Sequence, residues 1–182
     1  MRYFQAAMLI FIILTVILII LYLKVPKPPE LGTAIVINKA INRLYLYQDG
    51  QLIHIYSVAT GKEIDLTPEG DFRIIVKEAN DDGLGFDHIF GVRWMGLKTP
   101  DAVDGLKYGI HGTNEPSSIG RHVTAGCIRM SGNDIKELYD IVPIGTLVRI
   151  NRGSFIHWHF TDLLHYSIRL LTRGYEQHLK NI

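Results

Sequence analysis

The chain has 182 residues, enough for one domain of ordinary size with short appendages but too few for two catalytic domains. Its 19 Lys and Arg residues nearly balance 18 Asp and Glu residues, so its charge does not favour nucleic acid or another polyanion as a partner. The single cysteine, Cys127, excludes an internal disulfide and a zinc site built from several cysteines.

The amino-terminal part of the chain has the composition of a membrane anchor. After a short tail, residues 1–5, comes an uncharged segment, residues 6–23, in which 13 of 18 residues are Leu, Ile, Val or Phe. Each of these favours bilayer insertion by about 0.3–0.6 kcal/mol, and a helix of this length spans about 27 Å, close to the thickness of the hydrocarbon core. We expect a retained single-pass anchor, with a cleaved signal peptide as the alternative. Charges on both flanks leave its orientation open.

Residues 24–31 contain three prolines, which lack N–H donors and favour extended backbone, so we expect a semi-rigid spacer. Beyond it, β-branched and aromatic residues alternate with other side chains, and Asp49-Gly50 is a hairpin signal. The predicted strands are residues 33–38, 43–47, 51–59, 72–76, 89–97 and 146–150. A turn is expected at residues 67–70, and the polar, glycine-rich residues 79–87 are expected to form a loop bordering a cleft.

One helix is predicted after the strands. Ser131 or Asn133 can cap it, and it should run to about Ile141 before Pro143 ends it. Its apolar face, which should pack on the sheet, consists of Ile135, Leu138, Tyr139 and Val142. The sequence therefore predicts a mostly β, β-sandwich-like domain of antiparallel pattern over residues 32–151.

Residues 108–130 carry the parts of a nucleophilic acyl-transfer site. Cys127 follows a glycine and has His111 sixteen residues upstream, which supplies a nucleophile, a base and backbone N–H groups for an oxyanion. Because a free thiol with a pKa near 8.5 is only a few per cent ionised at pH 7, we expect His111 to lower the pKa of Cys127. His122, although closer along the chain, is predicted to be an exposed loop side chain.

The ordered motifs H-G-T-N at 111–114, S-S-I-G at 117–120 and T-A-G-C-I-R-M at 124–130 are more specific than a Cys and a His alone. Together with T-P-E-G-D-F at 67–72 and the helix after Arg129, they resemble the catalytic domain of the L,D-transpeptidases (YkuD-like), over about two thirds of the chain. That resemblance implies a bacterial enzyme that cross-links peptidoglycan stem peptides, with its domain facing the periplasm or cell wall.

The resemblance also implies roles for individual residues. Cys127 would be the nucleophile, His111 the general base and proton donor, and the carbonyl of Gly112 would orient the imidazole. The backbone N–H groups of Gly126 and Cys127 are candidates for the oxyanion hole. The predicted substrate-binding residues are Arg129, Thr113, Asn114 and Ser118.

Two features leave alternatives open. Arg129 could bind a substrate carboxylate or brace the loop through carbonyl groups. Many family members have a histidine two places before the nucleophile, where this chain has Ala125. A peptidoglycan L,D-transpeptidase is the leading prediction; an L,D-carboxypeptidase, with water as acceptor, and a non-catalytic peptidoglycan-binding or regulatory module are the alternatives. No cofactor is expected, because the chain has no Walker loop and no dinucleotide fingerprint after a strand.

The carboxy-terminal tail, residues 152–182, lies outside the resemblance. Its His157-Trp158-His159 run invites a metal site, but no third ligand stands at a recognisable spacing. Aromatic neighbours and apolar residues at helical spacing instead favour a packing or membrane-interface segment, with an amphipathic helix from about Thr161. No metal is therefore expected here.

Overall fold

Short strands rich in β-branched and aromatic residues build the domain. This computed structural model describes residues 8, 10–16, 32–63, 65–80 and 90–152. The strands are β1 Thr33–Asn38, β2 Arg43–Gln48, β3 Gln51–Ser57, β4 Thr60–Gly61, β5 Gly70–Ala79, β6 Arg93–Lys98, β7 Gly109–His111, β8 His122–Thr124, β9 Ile128–Arg129 and β10 Leu147–Asn151. Helix α1, Gly132–Ile141, lies between β9 and β10, and a 3₁₀ turn, Pro116–Ser118, lies between β7 and β8.

Eight of these strands form one sheet in the order β3-β2-β1-β10-β5-β6-β7-β9, while β4 and β8 pair separately. The pairs β1–β10, β7–β9 and β4–β8 are parallel, and the remaining pairs are antiparallel. The predicted antiparallel pattern is therefore wrong for these three pairs. Turn signals reveal hairpins between neighbouring strands, whereas parallel partners are joined by long connections that leave no local signal.

The large sheet curls around a core that it shares with α1. Strand residues such as Ile35, Leu46 and Ile74 are fully buried, and the helix contributes Ile135 and Leu138. The prediction of a mostly β domain with a short helix is confirmed. The sandwich-like prediction is not, because a single sheet and the helix enclose this core where two facing sheets were expected.

The predicted hairpin turn and the predicted ends of the helix are confirmed. Asp49 and Gly50 both have positive φ, 50° and 72°, as a two-residue type I′ hairpin requires. Of the two predicted caps, Ser131 caps α1, and its side chain accepts a hydrogen bond from the N–H of Asp134 at 3.2 Å. The helix ends at Ile141, ahead of Pro143.

The chain separates into two units, residues 1–27 with 154–182, and residues 28–153. Within the first, residues 10–16 are helical, and their large apolar side chains are mostly exposed. None of the helices among the described residues has the length and apolar character that crossing a membrane requires. The rest of the predicted anchor, the spacer, the tail from residue 153 and most of the predicted 79–87 loop lie outside the described residues.

Candidate active site

The parallel pairing of β7 with β9 brings the predicted nucleophile and base together. Ile110 pairs with Ile128, and both side chains are buried in the core. Because successive side chains on a strand alternate between faces, His111 and its partner Arg129 project from the other face. Cys127 directly precedes β9, and the charge of Arg129 acts on both His111 and Cys127, so the three residues belong to one site.

Aromatic rings and backbone carbonyls enclose His111, which is only 2% exposed. Its ring stacks on Trp94 with centroids 5.6 Å apart and meets Phe90 edge-on at 5.1 Å. Nδ1 lies 2.6 Å from the carbonyl oxygen of Gly112, so the predicted bond between these residues is present. Since a carbonyl oxygen only accepts, Nδ1 carries the proton and the neutral ring keeps its lone pair on Nε2.

Burial makes the charged form of His111 unfavourable. It lowers the pKa of the imidazole to about 4, and the nearby charge of Arg129 acts in the same direction. Hydrogen bonds to the carbonyls of Gly112 and Phe90 oppose this shift without cancelling it. His111 is therefore a neutral base at pH 7.

Cys127 is partly accessible, and its surroundings favour the protonated thiol. Burial raises the pKa of the thiol, although a backbone hydrogen bond from Gly109 and the charge of Arg129 both act to lower it. Sγ lies 3.6 Å from the carbonyl oxygen of Lys107, which accepts from a thiol and not from a thiolate. The expectation of a lowered cysteine pKa is therefore wrong, because a neutral imidazole supplies no positive charge and burial is the larger effect.

The turn that carries Cys127 is fixed by hydrogen bonds on both sides. The hydroxyl of Thr124 donates to the carbonyl of Cys127 at 2.7 Å and accepts from the N–H of Gly126 at 3.1 Å. Gly126 has φ 135°, and a Cβ atom there would lie 2.6 Å from the carbonyl oxygen of Leu66, so the turn requires glycine.

This arrangement changes the assignment of the oxyanion hole. The predicted donor at Gly126 is already bonded to Thr124, so it could serve an oxyanion only by sharing or breaking that bond. Within the part of the chain that the structure describes, no hydrogen bond uses the N–H of Cys127. The backbone of Cys127 is thus the donor available to an acyl oxygen bound at its own sulfur.

The predicted substrate-binding residues differ in exposure and in hydrogen-bond partners. Arg129, with a side chain 19% exposed, places Nη1 3.2 Å from Oε2 of Glu115, so its partner here is an exposed carboxylate. Asn114 is exposed, and Thr113 accepts a bond from the N–H of Glu115. Ser118 is buried, and its hydroxyl donates to the carbonyl of Glu115 at 2.6 Å.

The 3₁₀ turn directs the side chain of Ser118 inward, so the structure gives its predicted contact with substrate no support. His122 is exposed as predicted, but it begins strand β8, and its Nδ1 lies 3.1 Å from the hydroxyl of Thr60. Ala125 is also exposed.

Among the described residues, no cluster of three or more His, Cys, Asp or Glu side chains could hold a metal ion.

Three supporting residues were not predicted. Trp94 stacks on His111 and donates Nε1–H to the carbonyl of Gly105, and Thr124 and Thr67 hold the nucleophile turn. From the sequence, Trp94 is predicted to be an ordinary strand residue, and Thr67 is predicted to belong to a turn. Thr124 and Thr67 both stood within motifs of the resemblance, but only Thr124 is close enough to Cys127 along the chain for the sequence to have suggested a role.

Comparison with known proteins points to one family. The family model of the L,D-transpeptidase catalytic domain, YkuD, matches residues 32–150. The protein YqjB of Bacillus subtilis (strain 168), whose name assigns it to the L,D-transpeptidases, is 42% identical over 123 residues, covering 64% of this chain and 69% of its own length. YkuD of the same organism, named likewise, is 39% identical over 127 residues, covering 70% and 71%.

Solved structures show the same fold. The NMR structure of the catalytic domain of the E. faecium L,D-transpeptidase is 26% identical with a TM-score of 0.52, covering 66% of this chain and 97% of that one. The L,D-transpeptidase from Xylanimonas cellulosilytica is 23% identical with a TM-score of 0.53, covering 70% of this chain and 64% of that one. Because the family model matches well over half of its residues, the chain belongs to the L,D-transpeptidase catalytic domain (YkuD) family.

Proposed function

We propose that this chain is a cysteine-dependent peptidoglycan L,D-transpeptidase. The observation that carries the proposal is the parallel pair β7–β9, which sets His111 beside Arg129, with Cys127 directly before β9. Family membership supports acyl transfer as the reaction class. The stem peptides of peptidoglycan are the proposed substrate.

In the first half-reaction, the thiol proton of Cys127 passes to Nε2 of His111 as Sγ attacks the carbonyl carbon of the third stem-peptide residue. The negative charge that develops on the acyl oxygen is stabilised by the N–H of Cys127. Collapse breaks the peptide bond, His111 returns its proton to the departing amine, and the terminal D-alanine leaves. The product is a thioester on Cys127.

In the second half-reaction, the side-chain amine of a neighbouring stem peptide attacks the thioester carbon. His111 takes a proton from that amine, and the new amide bond forms as the sulfur leaves. The proton then returns to the sulfur and restores the thiol. A neutral His111 suits both halves, because a base must be unprotonated before each attack.

Arg129 is proposed to bind a substrate carboxylate. Its present partner, Glu115, is exposed, and the ion pair has a single contact of 3.2 Å, so a carboxylate on the substrate could replace it. This supports substrate binding over the alternative of a purely structural brace. Thr113 and Asn114, at the exposed end of β7, remain proposed substrate contacts.

The test is covalent labelling by a carbapenem. The wild-type protein should gain the mass of one carbapenem, with the addition on the peptide that contains Cys127, whereas the C127A variant should gain none. The A125S variant, two residues away at an exposed position, is a matched control and should label like the wild type. A folded wild-type protein that takes up no carbapenem would contradict the proposal.

Hydrolysis is the second candidate, and Ala125 is the observation that favours it. Alanine cannot donate a hydrogen bond where many family members have histidine, so whatever that histidine contributes to positioning or to stabilising the transition state is absent here or supplied by another group. Incubating a disaccharide tetrapeptide with and without an acceptor amine separates the two activities. Cross-linked product indicates transpeptidation, and tripeptide in the presence of acceptor indicates carboxypeptidation. If C127A keeps the biological effect, a non-catalytic module is the better explanation.

The cellular location proposed is the membrane, with the catalytic domain on the side of the cell wall. The uncharged composition of residues 6–23 and the exposed apolar side chains of residues 10–16 support this. Fractionation of cells followed by alkaline washing tests it. An anchored protein stays with the membranes, and deleting residues 6–23 should release it.

A further inference from the structure

A chain of buried hydrogen bonds leads from the β4 region to the nucleophile. Thr67, 1% exposed, donates its hydroxyl to the carbonyl oxygen of Gly126 at 3.0 Å. The same hydroxyl oxygen accepts from the N–H of Gly61 at 2.8 Å. The side chain of Thr67 therefore joins the end of β4 to the peptide bond that precedes Cys127.

That peptide bond also contains the proposed oxyanion donor. The carbonyl of Gly126 and the N–H of Cys127 belong to one planar trans unit, in which they point in opposite directions. By holding the carbonyl, Thr67 fixes the direction of the N–H, which points away from Thr67. Gly126 has φ 135°, a region in which glycine has few steric restraints of its own, so the hydrogen bond from Thr67 adds a restraint on the orientation of this peptide.

The bond also has an electronic effect. A carbonyl that accepts a hydrogen bond is polarised, and its peptide N–H becomes a stronger donor. The N–H of Gly61 donates to the hydroxyl of Thr67, and that hydroxyl donates to the carbonyl of Gly126. Each bond in the series strengthens the next, and the last polarised group is the N–H of Cys127.

Thr67 is itself held by a buried cation. Lys39 is 3% exposed, and its Nζ donates to the backbone carbonyl of Thr67 at 2.8 Å while lying 3.0 Å from a carboxylate oxygen of Glu69. The backbone and the side chain of Thr67 thus both have fixed partners. A residue anchored in this way can hold the carbonyl of Gly126 in one direction.

We infer that Thr67 is a positioning residue that aligns and polarises the Cys127 N–H for stabilising the oxyanion of acyl transfer. The inference rests on the proposed function, since it requires Cys127 to be acylated. Thr67 acts through Gly126 and does not touch the reacting atoms.

The experiment compares two reactions of the same thiol. Acylation by a carbapenem passes through an oxyanion, whereas alkylation by iodoacetamide does not. Losing one direct oxyanion donor slows reactions by about 100-fold to 1,000-fold, so we expect misalignment of the donor in T67V to slow carbapenem acylation by about tenfold or more. Iodoacetamide should alkylate T67V within about twofold of the wild-type rate, because the thiol is unchanged.

Two variants serve as controls. T67S keeps the hydroxyl and should restore acylation to within about threefold of wild type. T146V removes another buried threonine hydroxyl, one that donates to Pro143 away from the site, and should not alter acylation. If T67V is acylated as fast as T146V, or if its alkylation slows as much as its acylation, Thr67 has no specific role in the oxyanion step.

A measurement on the wild-type protein covers the case in which T67V does not fold. The Cys127 amide should exchange rapidly with solvent in the free protein and become protected in the carbapenem adduct. Absence of protection would overturn the inference while leaving the proposed function intact. Failure of the wild type to form any adduct would instead overturn the proposed function, and the inference with it.

Discussion

At the scale of single residues, the site depends on two groups whose surroundings keep them uncharged. His111 lies against Trp94 and Phe90, so the protonated ring would lose its hydration without gaining a carboxylate partner among the described residues. Cys127 is partly buried and keeps its proton for the same physical reason. The free protein therefore holds a thiol and a neutral imidazole, and in the proposed mechanism charge separates only when the substrate is attacked.

The pKa of His111 predicts how stability depends on pH. The folded protein holds this ring with a pKa of about 4, whereas an unfolded chain has a histidine pKa of about 6.5, so the unfolded state binds the proton first. The contribution of His111 to the free energy of unfolding is fully present above about pH 6.5. It is lost as the pH decreases towards 4, which lowers the free energy of unfolding by about 3 kcal/mol. Urea unfolding at a series of pH values measures it.

The matched variant is H111Q, which cannot bind a proton in this range. Between pH 7 and pH 4, its free energy of unfolding should fall less than that of the wild type by about the same 3 kcal/mol. H122Q, at an exposed histidine, controls for the loss of a histidine elsewhere. Equal pH dependence in H111Q and the wild type would show that His111 is not buried in its neutral form.

At the scale of elements, two short features build the site. The parallel pair β7–β9 sets which side chains share a face, and the turn before β9 sets the direction of the Cys127 backbone. Neither is stable alone: β9 has two residues and β7 has three. They persist because β6 pairs with β7, and because Arg129 exchanges backbone hydrogen bonds with Ala59 at 2.9 and 3.0 Å.

Substituting Gly126 tests the turn. In G126A, the new Cβ would lie 2.6 Å from the carbonyl oxygen of Leu66 and 2.9 Å from the ring of Tyr108, and backbone cannot yield cheaply. We expect a loss of about 3 kcal/mol or more in stability, with carbapenem acylation largely lost. Urea unfolding and intact mass measure the two effects.

Gly120 provides the comparison for this prediction. It also has positive φ, 86°, but a Cβ there would meet nothing within 4 Å. G120A should therefore cost only the backbone strain of alanine, about 1–2 kcal/mol, and should keep its acylation rate. Equal losses in the two variants would mean that φ alone, and not the close approach of Leu66, accounts for the requirement at Gly126.

At the scale of the whole molecule, one hydrophobic core supports every part of the site. The buried cluster contains residues from β1, β2, β5, β6, β7, β9 and β10 as well as α1. Ile135 of α1 also lies close to Gly112, whose carbonyl orients His111, since a Cβ at Gly112 would be 3.4 Å from it. The helix thus connects the core to the base.

This organisation predicts that residues 28–153, one of the two compact units, fold without the rest of the chain. All members of the core cluster lie between Ile35 and Ile150. A protein trimmed to residues 28–153 should unfold cooperatively in urea and acylate with a carbapenem within about twofold of the full-chain rate. A trimmed protein that is folded but tenfold slower would show that the removed residues contribute to the site.

Much of the fold was predictable because its signals are local. The hairpin at Asp49-Gly50, the cap at Ser131 and the end of α1 before Pro143 each depend on neighbours in sequence. Strands β4, β7, β8 and β9 were missed because they have only two or three residues, too few for a periodic pattern. Their existence depends on partners distant in sequence.

The amino-acid sequence by itself determined the family and the mostly β character, and it singled out Cys127 and His111 as the proposed nucleophile and base, since these depend on motifs and residue types that need no neighbours in space. Tertiary structure alone decided the protonation of Cys127 and His111, the inward direction of Ser118, and the hydrogen bond from Thr67 to Gly126. The physical reason is that desolvation and hydrogen bonding depend on which groups lie within a few ångströms. In this fold, those neighbours are set by the parallel pairing of strands and by a close-packed turn. Both form between segments that are distant in sequence.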